Sequence, residues 1–189
     1  LRNSGRGDLH WRLRTRLTGG ASGEASDYRW RDSRSADGPV FDWVEIRSRG
    51  TLVSGLSPVP LGFAFPWYGG SFDQVFVSPH GGLSFTSSPV PAPSLPGPSA
   101  TPNLLAPLLG NLRVREFSTV HVLREEGRVI VQWSDLEHVL GGASYTFEAI
   151  LERDGRVLFQ YLEMDGVPRP AVIGWQNGTG SAGTTIAAT

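Results

Sequence analysis

The side chains of this sequence that are able to do acid–base or nucleophilic chemistry are four histidines, 18 carboxylates and several serines. A hydrolase needs a nucleophile beside a base, or two carboxylates that face one cleft. Motifs such as Gly-x-Ser-x-Gly and His-Glu-x-x-His are absent around the histidines, which are His10, His80, His121 and His138. There is no cysteine, which excludes disulfides, thiolate metal sites and a cysteine nucleophile. We therefore expect a protein that is not an enzyme.

The same residues give little support for a metal or a cofactor. His121 falls on an alternating strand and His138 in a polar connection, and neither has a second ligand at metal-binding spacing. His80 stands before Gly81 in a short turn, which favours a turn residue over a catalytic base. Asp154 precedes Gly155 between two apolar runs, a pattern that predicts a hairpin rather than a calcium loop. We expect no metal and no cofactor.

Sugars, nucleic acids and membranes are the remaining ligand classes. Asn177 begins an Asn-Gly-Thr glycosylation sequon in a glycine-rich turn. Four tryptophans offer a carbohydrate platform or, as we favour, fill the core: Trp30, Trp43, Trp67 and Trp175. The arginines near the N-terminus are the one candidate for nucleic acid, but the remaining chain is acidic, so we expect no nucleic-acid partner. No run approaches the roughly 18 apolar residues of a membrane span, so we expect no membrane insertion.

Residues 8–17 have the clearest binding pattern of the chain. Apolar side chains alternate with basic ones there, which predicts a strand with one apolar and one cationic face. The apolar positions are Leu9, Trp11, Leu13 and Leu17, and the basic positions are His10, Arg12, Arg14 and Arg16. The following stretch, 18–26, is rich in Gly, Ser and Ala and predicts a flexible tether.

Charge is unevenly distributed along the chain. Residues 1–34 carry eight arginines and four acidic residues, whereas the rest carries nine arginines and 14 acidic residues. A cationic arm on an anionic body suits head-to-tail association of copies or binding to an anionic surface, and it is equally consistent with an arm that is only solvated.

The elements that must position these residues are short strands. Alternating apolar runs separated by Gly, Pro and Asp turns recur from Tyr28 to Ala187, and no helical period persists. We predict an all-β antiparallel β-sandwich, jelly-roll-like, at 27–189, preceded by an N-terminal strand arm at 1–26. Predicted strands include 28–33 and 40–46, and six prolines in 87–102 predict an extended surface loop.

Short motifs follow one another along the chain at 28–33, 38–46, 61–69, 75–85, 103–107, 131–133 and 173–177. Their order resembles a secreted bacterial β-sandwich module found beside extracellular peptidases and in cell-surface proteins, with a nidogen-like central part. The resemblance covers 27–187 and implies an extracellular location and an accessory role without shared catalytic residues. His80 stands where the family tends to have Asn, and Gly110 and Asn111 stand where acidic residues often follow.

Because the arm lies outside the resemblance, we place the function there. Our first hypothesis is a subunit of a pilus-like surface filament, in which Leu9, Trp11, Leu13 and Leu17 dock as a donor strand on a neighbouring copy. Arg12, Arg14 and Arg16 then make electrostatic contacts. In the alternative, the arm folds back on its own sheet, and the protein is a monomeric adhesion or carbohydrate-binding module that contacts cell-surface glycans.

Overall fold

A computed structural model of the chain describes residues 15–17, 28–53, 58–92, 94–166 and 170–188. These residues form thirteen strands and contain no helix. The strands are β1 (Thr15–Leu17), β2 (Thr51–Leu52), β3 (Pro58–Trp67), β4 (Gly70–Ser78), β5 (Gly82–Ser84), β6 (Leu104–Gly110), β7 (Leu112–Arg113), β8 (Thr119–Glu125), β9 (Arg128–His138), β10 (Ser144–Glu152), β11 (Val157–Met164), β12 (Ala171–Gln176) and β13 (Gly183–Ala188).

The strands form two antiparallel sheets, which confirms the predicted β-sandwich. The first sheet has the order β1-β11-β10-β9-β8-β2, and β7 pairs with β9 beside this path. The second sheet has the order β13-β12-β6-β5-β4-β3. Most neighbours are also neighbours in sequence, because short turns such as Asp154–Gly155 join them as hairpins.

The core lies between the sheets and is rich in aromatic side chains. Trp67, Trp133 and Trp175 are all buried there. Trp133 Nε1 donates to Ser78 O at 2.9 Å, and Trp175 Nε1 donates to Tyr68 Oη at 3.1 Å. Tyr161 Oη likewise donates to Pro107 O at 2.5 Å. Burial of this kind supplies most of the stability of a chain without disulfides.

The outer face of the first sheet is covered by a segment that we predicted to be a strand. Residues 40–46, called the strap below, belong to no strand. Ile46 is buried on that face with Ile130 and Ile150. The stretch 28–33, also predicted as a strand, contains only one bridge residue, Arg29. The strand prediction was wrong for both stretches; in the strap, backbone N–H groups bind side chains of the sheet instead of a neighbouring strand.

The proline-rich segment 87–102, called the proline cover below, lies on the outer face of the second sheet as the strap lies on that of the first. We predicted a surface loop at 87–102, yet Ala92, Leu95 and Ala100 are buried against strands β6 and β12. Gln176 holds this segment, because its Nε2 donates to Ala100 O and Thr101 O and its Oε1 accepts from Gly97 N at 2.8 Å. Prolines lack an N–H, so a side-chain amide that binds the remaining backbone groups replaces the ladder of a strand.

Candidate strand-docking site

The arm of this chain pairs with the edge of its own first sheet. Strand β1 is antiparallel to β11, with Thr15 opposite Phe159, Arg16 opposite Leu158 and Leu17 opposite Val157. Without β1, β11 would be the last strand of that sheet. Backbone pairing at such an edge is the usual way in which an extended segment joins a sheet.

The paired part of β11 alternates between the two faces of the sheet. Val157 and Phe159 belong to the buried core, and Leu158 packs on the outer face beside Ile130 and Ile150. Of the predicted donor residues, Leu17 lies in β1, and of the predicted electrostatic residues Arg16 does. The others, Leu9, Trp11, Leu13, Arg12 and Arg14, lie outside the described residues.

Four polar side chains form a row across the outer face of the first sheet. Register places His121 opposite Gln132, Gln132 opposite Glu148, and Glu148 opposite Gln160, on strands β8, β9, β10 and β11. The last three have no solvent exposure at all. Polar groups in such surroundings are stable only when they are hydrogen-bonded.

The strap binds three members of this polar row, Gln132, Glu148 and Gln160. Its backbone N–H groups at alternate residues donate to successive strands: Ile46 N to Gln132 Oε1 at 2.9 Å, Val44 N to Glu148 Oε1 at 3.3 Å, and Asp42 N to Gln160 Oε1 at 2.9 Å. Gln160 Nε2 returns a bond to Asp42 O at 2.8 Å and also donates to Glu148 Oε1. The strap therefore crosses three strands and is bound to each one.

Charged groups gather where the strap ends. Burial raises the pKa of Glu45, but hydrogen bonds from Arg47 and Gln132 outweigh this and lower it to about 2. Arg47 Nη1 also lies 3.7 Å from Asp135 Oδ2. Burial lowers the pKa of His121, and the nearby Arg47 lowers it further. At neutral pH the end of the strap therefore has an ionised Glu45 carboxylate near an uncharged His121 imidazole.

The other histidines have structural positions. His80 lies in the turn between β4 and β5, where its Nδ1 is 2.7 Å from Leu112 O. Gly81, rather than His80, has the left-handed backbone conformation of this turn, at φ +82°. A Cβ at position 81 would also lie only 2.2 Å from Leu108 O, so a larger residue does not fit there. His138 ends β9, where it is buried, and its Nδ1 accepts from Leu140 N at 3.3 Å. His10 lies outside the described residues.

The predicted glycosylation residue is engaged inside the fold. Asn177 is 9% exposed, and its Nδ2 donates to Ser181 Oγ at 3.2 Å. Its Oδ1 accepts from Ser181 N and Ala182 N, so the side chain holds the turn before β13.

The tryptophans divide between core and surface. Trp67 and Trp175 are core residues, as we favoured. Trp30 is 40% exposed. Trp43, in the strap, is half-buried and stacks on Phe41 with ring centroids 6.4 Å apart. Of these four tryptophans, only Trp30 and Trp43 reach the surface, and both lie before β2.

Other site chemistry in the described ranges is sparse. A shallow, open cleft of about 320 Å³ lies between the β8–β9 and β10–β11 turns. Two of its three arginines have acidic partners: Arg128 pairs with Glu125, and Arg156 pairs with Glu152 and Asp154. Residues 15–17, 28–53, 58–92, 94–166 and 170–188 contain no group of three or more His, Cys, Asp or Glu placed to hold a metal ion. Nor does this part of the chain contain a helix that is long and apolar enough to cross a membrane.

Sequence reasoning missed the row that binds the strap. Gln132, Glu148 and Gln160 are polar residues within otherwise apolar runs. Their interruption of three neighbouring strands is the signal that could have revealed them, but only the hairpin register shows that they lie side by side.

The architecture defines a class before any relative is considered. It is an all-β sandwich module whose two outer faces are partly covered by irregular segments bound to buried polar side chains. Comparison with known families agrees, because the family described as NIDO related, that is nidogen-like, matches residues 48–189. The chain belongs to this NIDO-related family. Membership indicates an extracellular module. No solved structure matches the chain.

Proposed function

We propose that this protein is a non-enzymatic extracellular module whose N-terminal arm completes the first sheet of its own chain. The observation that carries the proposal is the pairing of β1 with β11 within one polypeptide. The module then serves as a monomeric accessory domain for adhesion or for binding cell-surface glycans. This is the second of our two sequence hypotheses.

Two features support a self-contained module. Strap and proline cover each bind the outer face of a sheet, so part of both faces is already occupied within the chain. The arm protects the β11 edge, which would otherwise be open to pairing with another copy. A module with covered faces and a protected edge is suited to remain monomeric.

Strand donation into a filament is the second candidate. It is favoured by the nature of the β1–β11 contact, because an edge that accepts its own arm is able to accept the same arm from a neighbour in the same register. The ten residues between Leu17 and Tyr28 span up to about 33 Å when extended. The two candidates therefore share one docking site and differ only in which copy supplies the strand.

Cross-linking separates the two candidates, and the absence of native cysteine makes it clean. We would replace the opposed residues with Arg16→Cys and Leu158→Cys in one chain and oxidise it or add a short bis-thiol reagent. Cross-strand partners in a sheet are close enough for such a bond. We expect a monomer with an internal cross-link, seen on a non-reducing gel and in the intact mass.

A matched control uses Arg16→Cys with Arg124→Cys, a residue of β8 at the other side of the sheet. This pair should not react within the chain. A covalent ladder from the Arg16/Leu158 pair would instead establish strand donation and overturn the monomeric module. Absence of any cross-link would reject the docking site itself.

A further inference from the structure

The two sheets end in four edge strands in the part of the chain that the structure describes, and three of them are poorly suited to pair with another chain. Strand β1 has three residues and β2 has two. Strand β3 is long but contains Pro58, Pro60 and Pro66, which lack the N–H that a ladder needs. Short edges and prolines are common protections against strand addition. The fourth edge strand is β13.

Strand β13 has none of these protections. Its six residues, Gly183–Ala188, include no proline and no charged side chain. Three of them, Thr184, Thr185 and Ile186, are β-branched and favour an extended chain. The backbone of β13 pairs with β12 on one side, and among the described residues no other backbone hydrogen bond reaches it. The other side of β13 therefore offers free backbone groups to an incoming strand.

The register shows which of these groups point away from β12. Asn177 N donates to Ala182 O just before the paired residues of β13. Hydrogen-bonded and non-bonded pairs alternate along an antiparallel ladder. Counting from this bond, Thr184 is in a bonded pair with β12, and Thr185 is in a non-bonded pair. The N–H and C=O of Thr185 therefore face the free edge.

The two faces beside this edge differ in character. Thr184 is opposite the core residue Trp175 and so faces inward, and Ile186 packs against the same core while it stays partly exposed. On the outer face, Thr185 Oγ1 accepts from Leu95 N at 2.9 Å and donates to Leu95 O at 2.5 Å, which fixes the proline cover beside the edge. A strand added to β13 would place alternate side chains beside Ile186 and beside the proline cover.

The size of the edge favours a peptide over a second copy of this chain. Six residues span about 20 Å and a sheet layer is about 10 Å thick, so the edge offers about 200 Å² to a flat partner. Stable contacts between two folded proteins bury about 800 Å² on each. An extended peptide binds mainly through backbone pairing and also contacts both faces beside the edge. Because β13 has no charge, it offers no ion pair to a charged peptide.

We propose that the free edge of β13 binds an extended peptide segment of a partner protein by strand addition. The paired residues of this peptide are uncharged and free of proline, with an apolar side chain at each position that faces Ile186. The inference rests on the proposed function, since it names the partner through which a monomeric module takes part in adhesion.

Binding of a model peptide to the full chain tests the edge. The probe has six alternating Thr and Val residues between two lysines and carries a fluorescent label. A control peptide has the same side chains but an N-methyl group on each of the six residues, which prevents backbone pairing. By fluorescence anisotropy, we expect the probe to bind with half-saturation below about 500 µM and the N-methylated peptide not to bind.

A substitution on β13 locates the binding. Thr184→Lys places an inward-pointing charge on the edge, a device that protects natural edge strands, and Thr184 is exposed enough for the lysine to reach solvent. We expect it to weaken binding of the probe at least tenfold. Gln74→Lys, at an exposed residue of the interior strand β4, is the matched control and should change binding less than twofold. Circular dichroism establishes that both variants are folded.

Hydrogen exchange of the unmodified chain provides a measurement that needs no variant. A saturating amount of the probe should slow exchange of the Thr185 amide at least tenfold. The inference is wrong if exchange of this amide is unchanged, if both peptides bind equally, or if Thr184→Lys binds as the wild type does. Wild-type dimers in sedimentation that Thr184→Lys dissociates would also overturn it, because a second copy would then occupy the edge.

The cross-link of Arg16→Cys with Leu158→Cys keeps this failure separate from failure of the proposed function. An internal cross-link without binding of the probe would reject the β13 site and leave the monomeric module in place. A cross-linked ladder together with specific binding of the probe would reject the monomeric module and support the β13 site.

Discussion

Individual polar residues, rather than strand pairing, attach the irregular segments to the sandwich. Gln132 is the clearest case, since its Oε1 accepts from Ile46 N and its Nε2 donates to Glu45 and Ser134. The buried amide of Gln132 both donates and accepts hydrogen bonds, and an apolar side chain would make none of them.

Replacement of this residue should therefore destabilise the fold. Gln132→Leu keeps the volume roughly constant but leaves Ile46 N–H without its acceptor, so we expect a loss of about 1 to 3 kcal/mol in the free energy of unfolding. Urea denaturation measures it. Gln74→Leu, at an exposed residue of β4, is the control and should change stability by less than about 0.5 kcal/mol. Equal effects of the two changes would contradict the role of Gln132.

His121 should make stability depend on pH. Its pKa is lowered in the folded state by burial and by Arg47, so the unfolded chain binds the proton more readily. Stability is then complete above the ordinary histidine pKa of about 6.5 and falls as the pH decreases below it. We expect His121→Gln to reduce the loss between pH 7.5 and 5.5, by less than about 1 kcal/mol. An unchanged pH profile in urea titrations would contradict this assignment.

Asn177 should remain unmodified in the folded protein. Its buried Nδ2 is bonded to Ser181, and a glycan would have to displace that contact. Expressed through a glycosylating secretory pathway, the wild type and Thr179→Ala, which removes the sequon, should both show the mass of the bare polypeptide. A glycan mass on the wild type alone would show that Asn177 is modified.

At the scale of elements, two covers complete the sandwich. The proline cover contributes Leu95, which is buried with Leu104 and Leu109, whereas Val90 in the same segment is exposed. Segments without regular hydrogen bonding stay in place when their side chains are buried and a few backbone groups are bound.

A pair of matched substitutions tests whether the proline cover is part of the core. Leu95→Ala should lower the free energy of unfolding by about 2 to 4 kcal/mol, because it opens a cavity under the cover. Val90→Ala in the same segment should cost less than about 0.5 kcal/mol. Similar small values for both, by thermal or urea unfolding, would mean that the segment is only a loop.

The sequence predicts elements better than it predicts covers. The turn residues Gly127 and Asp154–Gly155 correctly predict two hairpins. The alternating runs beside them correctly predict strands β8 to β11. The strap was predicted as a strand because apolar residues alternate in it, and Val44 and Ile46 do pack on the outer face of the first sheet. The pattern does not show what the backbone of the strap bonds to, because its partners are side chains on three strands that are distant in the sequence.

The candidate site shows the same limit. The pattern of residues 8–17 predicts a strand that seeks a sheet edge, and the structure identifies the edge as β11. No pattern within the arm could specify β11, because every open sheet edge offers the same backbone groups. Which strand forms that edge depends instead on pairings between strands that lie far from the arm in the sequence.

For the whole molecule, these features describe a nidogen-like extracellular module that is closed by its own parts. Strap, proline cover and arm occupy two outer faces and one edge of the sandwich. Exposed aromatic and aliphatic side chains then lie outside these contacts, at Phe117 and Leu140 among others. In this arrangement the strand on β11 comes from the same chain.

Mixing two single-cysteine variants tests this claim most directly. One preparation carries only Arg16→Cys with a mass tag, and the other carries only Leu158→Cys, so that a bond between positions 16 and 158 has to join two chains. After joint refolding and oxidation, we expect mixed dimers no more abundant than those from a control mixture of Arg16→Cys with Arg124→Cys. A dominant mixed dimer joined at positions 16 and 158 would contradict closure within one chain and would show that neighbouring copies exchange their arms.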